Sequence, residues 1–122
     1  GFRSVLLIAH IGKLVKLAGG ILNTHSKYAD CRRELFCAHA AVCGASRAVC
    51  RELMEQVTSD GCLAVLDREG LRDATMTSLM ESIHRQLRRK TEDSLRIGAL
   101  TFSNEYGLLG MTPEAEEMLR EW

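Results

Sequence analysis

The residues best equipped for chemistry are crowded into the first third of the chain. His10, Gly12, Lys13 and Lys16 come first, then the pair Gly19-Gly20, then Thr24, His25, Ser26, Lys27, Asp30 and Arg32. Ammonium and guanidinium groups interleaved with hydroxyls and imidazoles suit a ligand carrying several anionic oxygens, since charge-assisted hydrogen bonds to carboxylates are the strong ones and arginine can make them in pairs. An imidazole can also take up or release a proton near neutral pH. His25, inside the polar run Thr24-His25-Ser26, is a better candidate for that work than His10, which stands where a strand would end. Neither standard phosphate motif is present. Gly12-Lys13 is followed by Leu14 where a phosphate loop needs Ser or Thr, and its leading glycine is missing; no Gly-x-Gly-x-x-Gly follows the first strand.

Each of these residues also has a plainer role. Lys13 and Lys16 can be solvated helix lysines, Asp30 can cap a helix, and His10 can pack at a strand end. His39 and His84 fit helix surfaces or edges. Gly19-Gly20 either ends a helix, at about 1 kcal/mol per glycine relative to alanine, or admits another group close to its backbone. The five cysteines, at 31, 37, 43, 50 and 62, are odd in number and form no Cys-x-x-Cys pair. Free thiols packed as small apolar residues in a reducing compartment are the expectation.

The elements that would position these groups can be read from periodicity. Ser4–Ala9, rich in Val, Leu and Ile, has the composition of a buried strand. After a turn at His10-Ile11-Gly12, apolar residues at 11, 14, 15, 18 and 22 predict a helix that places Lys13, Lys16 and Gly20 on a different face. A strand leading into a helix turns free amides and partial positive charge toward Gly12 and Lys13. Residues 23–30 have no period and are expected to be a loop. Cys31, Leu35, Ala38 and Val42 predict a second helix that stops at Gly44, and further helices follow over Ser46 to about Val57, Asp60–Arg68 closed by Gly70, and Leu71–Lys90. Arg85, Arg88, Arg89 and Lys90 suit the C-terminal end of the last one; without aromatic neighbours they do not make a nucleic-acid patch. Ile97, Ala99 and Phe102 predict a strand, Asn104 and Gly107 a turn, and Leu108–Met111 a second short strand. Thr112-Pro113-Glu114 marks a helix start. The expected fold class is α/β: a helix-dominated domain with a small mixed sheet, made of the N-terminal strand and hairpin-like strands near 95–111.

Composition bounds the partners. The chain has 122 residues, 46% of them hydrophobic, and its 16 basic residues balance its 16 acidic ones. That is enough apolar material for one core without a metal or disulfide staple. No apolar run exceeds the length of Val5–Ala9, far below the roughly 18 residues that cross a bilayer, and no signal-peptide order appears, so no membrane partner and a cytoplasmic location are expected. Neutrality argues against a dedicated nucleic-acid binder. The charge is uneven, however: through residue 33 the basic Arg3, Lys13, Lys16, Lys27, Arg32 and Arg33 face only Asp30, whereas Glu114, Glu116, Glu117 and Glu121 dominate the end.

The string His10-Ile11-Gly12-Lys13-Leu14-Val15-Lys16-Leu17-Ala18-Gly19-Gly20, followed by Thr24-His25-Ser26 and Ala29-Asp30-x-Arg32-x-Glu34, resembles the cobalt-precorrin-5B methyltransferase family, CbiD, of anaerobic cobalamin biosynthesis. The likeness is most specific over about the first 35 residues and less distinctive through Phe102–Gly110. Family proteins are longer, so residues 1–122 resemble a single C-terminal domain or fragment, whose partner would be the N-terminal part of the same protein. The resemblance implies transfer of a methyl group from S-adenosylmethionine to carbon 1 of cobalt-precorrin-5B, with cobalt arriving only inside the substrate and no protein-held metal. Given such a many-carboxylate substrate, side-chain chemistry makes His10, Gly12, Lys13, Lys16, Gly19, Gly20, Thr24, Ser26, Lys27, Asp30 and Arg32 the expected substrate contacts and His25, ahead of His10, the expected proton carrier. The segment alone is not expected to turn over. A non-catalytic anion-binding or interaction module is the competing reading, and a start codon just before Gly1 would favour it.

Overall fold

A computed structural model describes residues 3–20, 30–91 and 95–121. Strand β1 (Arg3–His10) runs straight into helix α1 (Ile11–Ala18). Helices α2 (Arg32–Val42), α3 (Arg47–Met54), α4 (Ser59–Arg68) and α5 (Arg72–Lys90) follow. Strands β2 (Leu95–Ser103) and β3 (Gly107–Met111) and helix α6 (Pro113–Arg120) complete the described chain. The sheet order is β1-β2-β3, with β1 parallel and β3 antiparallel to β2. The α/β class with a small mixed sheet is therefore as the periodicity predicts.

The sheet is covered unequally. Leu7, Ala9, Ile97 and Ala99 face the main core, where α1, α2, α4 and α5 contribute Ile11, Leu14, Phe36, Leu63, Leu79 and Ile83, all essentially inaccessible. Among the described residues the opposite face receives only α6, which sits so close to β2 that a methyl group on Gly98 would meet the Ala115 backbone nitrogen at 2.6 Å. Thr112 anchors it there: its buried Oγ1 accepts hydrogen bonds from the amides of Ala99 (2.9 Å) and Ala115 (3.4 Å). The sequence signal for this helix start is a true cap that also fastens the helix to the sheet. The acidic tail is likewise tied back, with Glu117 and Glu121 flanking Arg96 of β2 at 3.3 and 3.0 Å.

Three sequence expectations change. No turn separates β1 from α1, because His10 ends the strand and caps the helix at once: its Nδ1 accepts from the Gly12 amide at 3.1 Å. The buried stripe of α2 is Phe36 and Ala40, while Val42 is 80% exposed. This helix is apolar on several sides, so period alone does not select a face, and the bulkiest side chain claims the core. The helix expected over Ser46–Val57 stops at Met54, leaving Val57 in the connection to α4, which is capped by Thr58 and starts at Ser59, one residue before the expected Asp60.

Replacing Thr112 with valine keeps the shape and deletes the acceptor of two buried amides. Unfolding in urea should show a loss of about 1–3 kcal/mol, largely restored by Thr112→Ser.

Candidate anion-binding site at the β1–α1 junction

The C-terminal end of β1 brings together groups from three helices. The His10 ring stands edge-on to Phe102 of β2, with centroids 5.8 Å apart and planes at 83°. Because Nδ1 accepts from Gly12, the ring proton resides on Nε2, which is left as a donor. Gly12 is the second residue of α1, and the space a side chain would fill there is already bounded. A methyl group would lie 3.4 Å from His10 Nδ1, 3.5 Å from Ser59 Oγ at the start of α4, and 3.8 Å from Arg32 Nη1 at the start of α2. A methyl group would therefore be in ordinary van der Waals contact with all three.

Arg32 is held in place by Asp30, whose two carboxylate oxygens accept from Nε at 2.9 Å and Nη2 at 3.0 Å. That bidentate grip leaves Nη1 directed toward Gly12. The Arg32 guanidinium, assisted by the charge of Lys16, holds the Asp30 carboxyl down from its ordinary 3.8 to about 2. Asp30 does not occupy the cap position, which falls to Cys31 without a side-chain cap; its Oδ1 only approaches the Arg32 amide at 3.4 Å. On the other side of Arg32 lies a cavity of about 410 Å³, lined by Asp30, Arg32, Arg33, Gln56, Val57, Thr58 and Cys62. Two guanidiniums against one carboxylate give this region a positive balance. Burial pushes the Cys62 thiol up to about 11, so it remains a thiol at neutral pH and offers no nucleophile. All five cysteines are free, as their spacing implies.

The predicted site residues do not all meet here. His10, Gly12 and Arg32 converge, Asp30 positions Arg32, and Lys13 is exposed on the first turn of α1. Lys16 departs from expectation, since only 1% of it is accessible. Helix α1 is just eight residues long and touches β1, β2, α2, α4 and α5, so little of it faces water and Lys16 does not share the exposure of Lys13. Gly19 and Gly20 end α1 at its far end, about 12 Å from the junction. There a methyl group added at Gly19 would lie 3.3 Å from Leu35 of α2, and one added at Gly20 would lie 3.2 Å from Gln86 of α5. They are not brought to the junction. Thr24, His25, Ser26 and Lys27 lie outside the described residues.

Ser59, Thr58 and Gln56 carry no site signal in the sequence, and Arg33 registers there only as part of the basic first third. Thr58-Ser59-Asp60-Gly61 does read as a helix start, but only folding brings it against Gly12. His39 and His84 sit apart from the junction: His39 Nδ1 lies 2.7 Å from Ser78 Oγ, and His84 Nδ1 lies 3.0 Å from Glu114 Oε2. Among the described residues no group of three His, Cys, Asp or Glu could hold a metal ion.

A parallel strand feeding a helix, with arginine and helix amides at the strand's carboxyl end, defines an α/β domain suited to anionic groups. Residues 23–113 match the family model described as the C-terminal domain of CbiD. The chain therefore belongs to the CbiD family. It is 44% identical over 102 residues to a protein of Ruminiclostridium cellulolyticum named cobalt-precorrin-5B C(1)-methyltransferase, covering 84% of this chain and 27% of that one. Proteins of the same name from Alkaliphilus metalliredigens and Listeria welshimeri are 38% and 32% identical, over 94% and 99% of this chain and 30% and 33% of theirs. The chain thus spans about a third of the length of the curated relatives it matches. No solved structure matches it at a significant level.

The depressed Asp30 value fixes a pH window. Ionised Asp30 is favoured in the fold, so its contribution is complete above the ordinary value of 3.8 and fades as pH falls toward about 2. Carboxyl NMR titration should place its midpoint near 2, and the stability difference between wild type and Asp30→Asn should shrink across that same interval.

Proposed function

We propose that this chain is the C-terminal part of a cytoplasmic cobalt-precorrin-5B C1-methyltransferase, and that the β1–α1 junction anchors a carboxylate on the rim of the corrin precursor. The observation that carries this reading is the meeting of His10, Gly12 and Arg32 at one strand end, with Arg32 pairing to Asp30 through Nε and Nη2 and its Nη1 on the Gly12 side. Such a macrocycle bears several acetate and propionate groups. A guanidinium beside a helix amino terminus can accept one of them, with Lys13 as a more exposed second contact. His10 Nε2–H can donate to the same edge. Membership of a family whose relatives bear the methyltransferase name supplies the reaction class.

Methyl transfer from S-adenosylmethionine to carbon 1 needs the ring carbon and the donor methyl aligned and water excluded, so the protein's main task is positioning. The role assigned to this chain is substrate anchoring. His25 is assigned the proton that leaves or joins the ring, and Thr24, Ser26 and Lys27 are assigned to the same polar segment. Cobalt enters with the substrate.

In the full-length enzyme, Arg32→Ala should raise the KM for cobalt-precorrin-5B about tenfold or more, as expected for loss of a charge-assisted contact, with a smaller change in kcat; Lys13→Ala should act in the same direction more weakly. His25→Ala should instead lower kcat. Unchanged kinetics in all three variants would remove the anchoring site.

A further inference from the structure

We infer that β1 is an interior strand of the complete protein: a strand from the N-terminal portion of the same polypeptide pairs with its free edge, and flanking residues cover the outer face of the sheet. Among the described residues β1 is hydrogen-bonded only to β2, so its other edge is open. Its sequence is wrong for an edge. Six consecutive residues, Ser4–Ala9, carry no charge, proline or glycine, and the pairing with β2 runs from Arg3 to His10 without a bulge. Natural edge strands are blunted by such devices because an open hydrophobic edge recruits other chains. The opposite edge has them: β3 is five residues long, contains two glycines, and carries a register shift opposite Thr101/Phe102. A near-continuous apolar run in a parallel strand belongs to a strand with neighbours on both sides and cover on both faces.

The outer face tells the same story. Residues Ile8, Leu100 and Met111 form one cross-strand row, and His10, Phe102 and Leu108 form the next. Helix α6 lies over Gly98 but leaves Ile8 60% and Leu108 58% exposed. The occupant follows from chain length. The relatives extend about two thirds of their length beyond the matched region, and the matched model is a C-terminal domain, so a large body of the same polypeptide stands ready to supply the missing strand. This inference rests on the chain being part of that longer polypeptide. It does not depend on where carboxylates bind.

Hydrogen exchange on the full-length protein and on the 122-residue chain tests it. The β1 amides that do not bond to β2 should exchange at least about 100-fold more slowly in the full-length protein. As a second readout, Ile8→Lys should leave the thermal midpoint of the 122-residue chain unchanged while lowering that of the full-length protein, and the normal midpoint of the shorter chain would show that the variant folds. Equal exchange in both proteins, or protection of β1 in the shorter chain through self-association that persists unchanged at full length, would overturn the inference. Because these readouts are independent of methyl transfer, loss of the anchoring site in the Arg32 and Lys13 variants would leave them standing.

Discussion

Eight residues at one end of the chain lie in register with eight at the other, and this parallel pairing of Arg3–His10 with Leu95–Phe102 is the constraint on which the remaining geometry depends. Closing so long a loop costs about 4 kcal/mol in chain entropy before any contact returns it. The intervening five helices supply the return by burying their apolar faces in one core, with α1 and α5 against the sheet, and Thr101 Oγ1 adds a hydrogen bond to the Ala9 carbonyl at 3.0 Å. Parallel strands require a crossover; here the crossover makes up most of the domain.

The same pairing determines where charge collects. With β1 aligned to β2, His10 arrives beside Phe102 and can end a strand and cap a helix in one residue. The first residues of α2 and α4 then approach the start of α1, so the Arg32 guanidinium and the Ser59 hydroxyl stand beside Gly12. Asp30 orients that guanidinium without neutralising the region, because Arg33 stands at the same cavity. At the other end of the chain, Glu117 and Glu121 are engaged with Arg96, and Glu114 lies beside His84 and Arg88. The uneven charge along the sequence thus separates into an acidic helix paired with basic residues of β2 and α5 and a basic junction at the start of α1.

Much of the architecture was legible from local patterns. Ser4–Ala9, the long helix ending at Lys90, the hairpin around Asn104–Gly107 and the cap at Thr112 all have signals that do not need a partner to be recognised. The face of α2 was not legible, since Leu35, Phe36, Ala38 and Val42 offer several apolar stripes and only the packed neighbours decide among them. The site was half legible. His10, Gly12 and Arg32 stood out by type, whereas Ser59 and Thr58 became relevant only because α4 folds against α1.

By itself, the sequence determined the α/β class, the free cysteines, the family likeness carried by His10–Gly20 and the residue types suited to carboxylates, because each of these is fixed by composition or by spacing within one element. Tertiary structure alone decided that Lys16 is buried while Lys13 is exposed, that Gly19 and Gly20 lie beside Leu35 and Gln86, and that Arg32 stands beside Gly12. The reason is physical: a helix's own sequence specifies what its faces are made of, but which face meets water depends on how many neighbours surround it. For eight-residue α1, enclosed by two strands and three helices, that number is large.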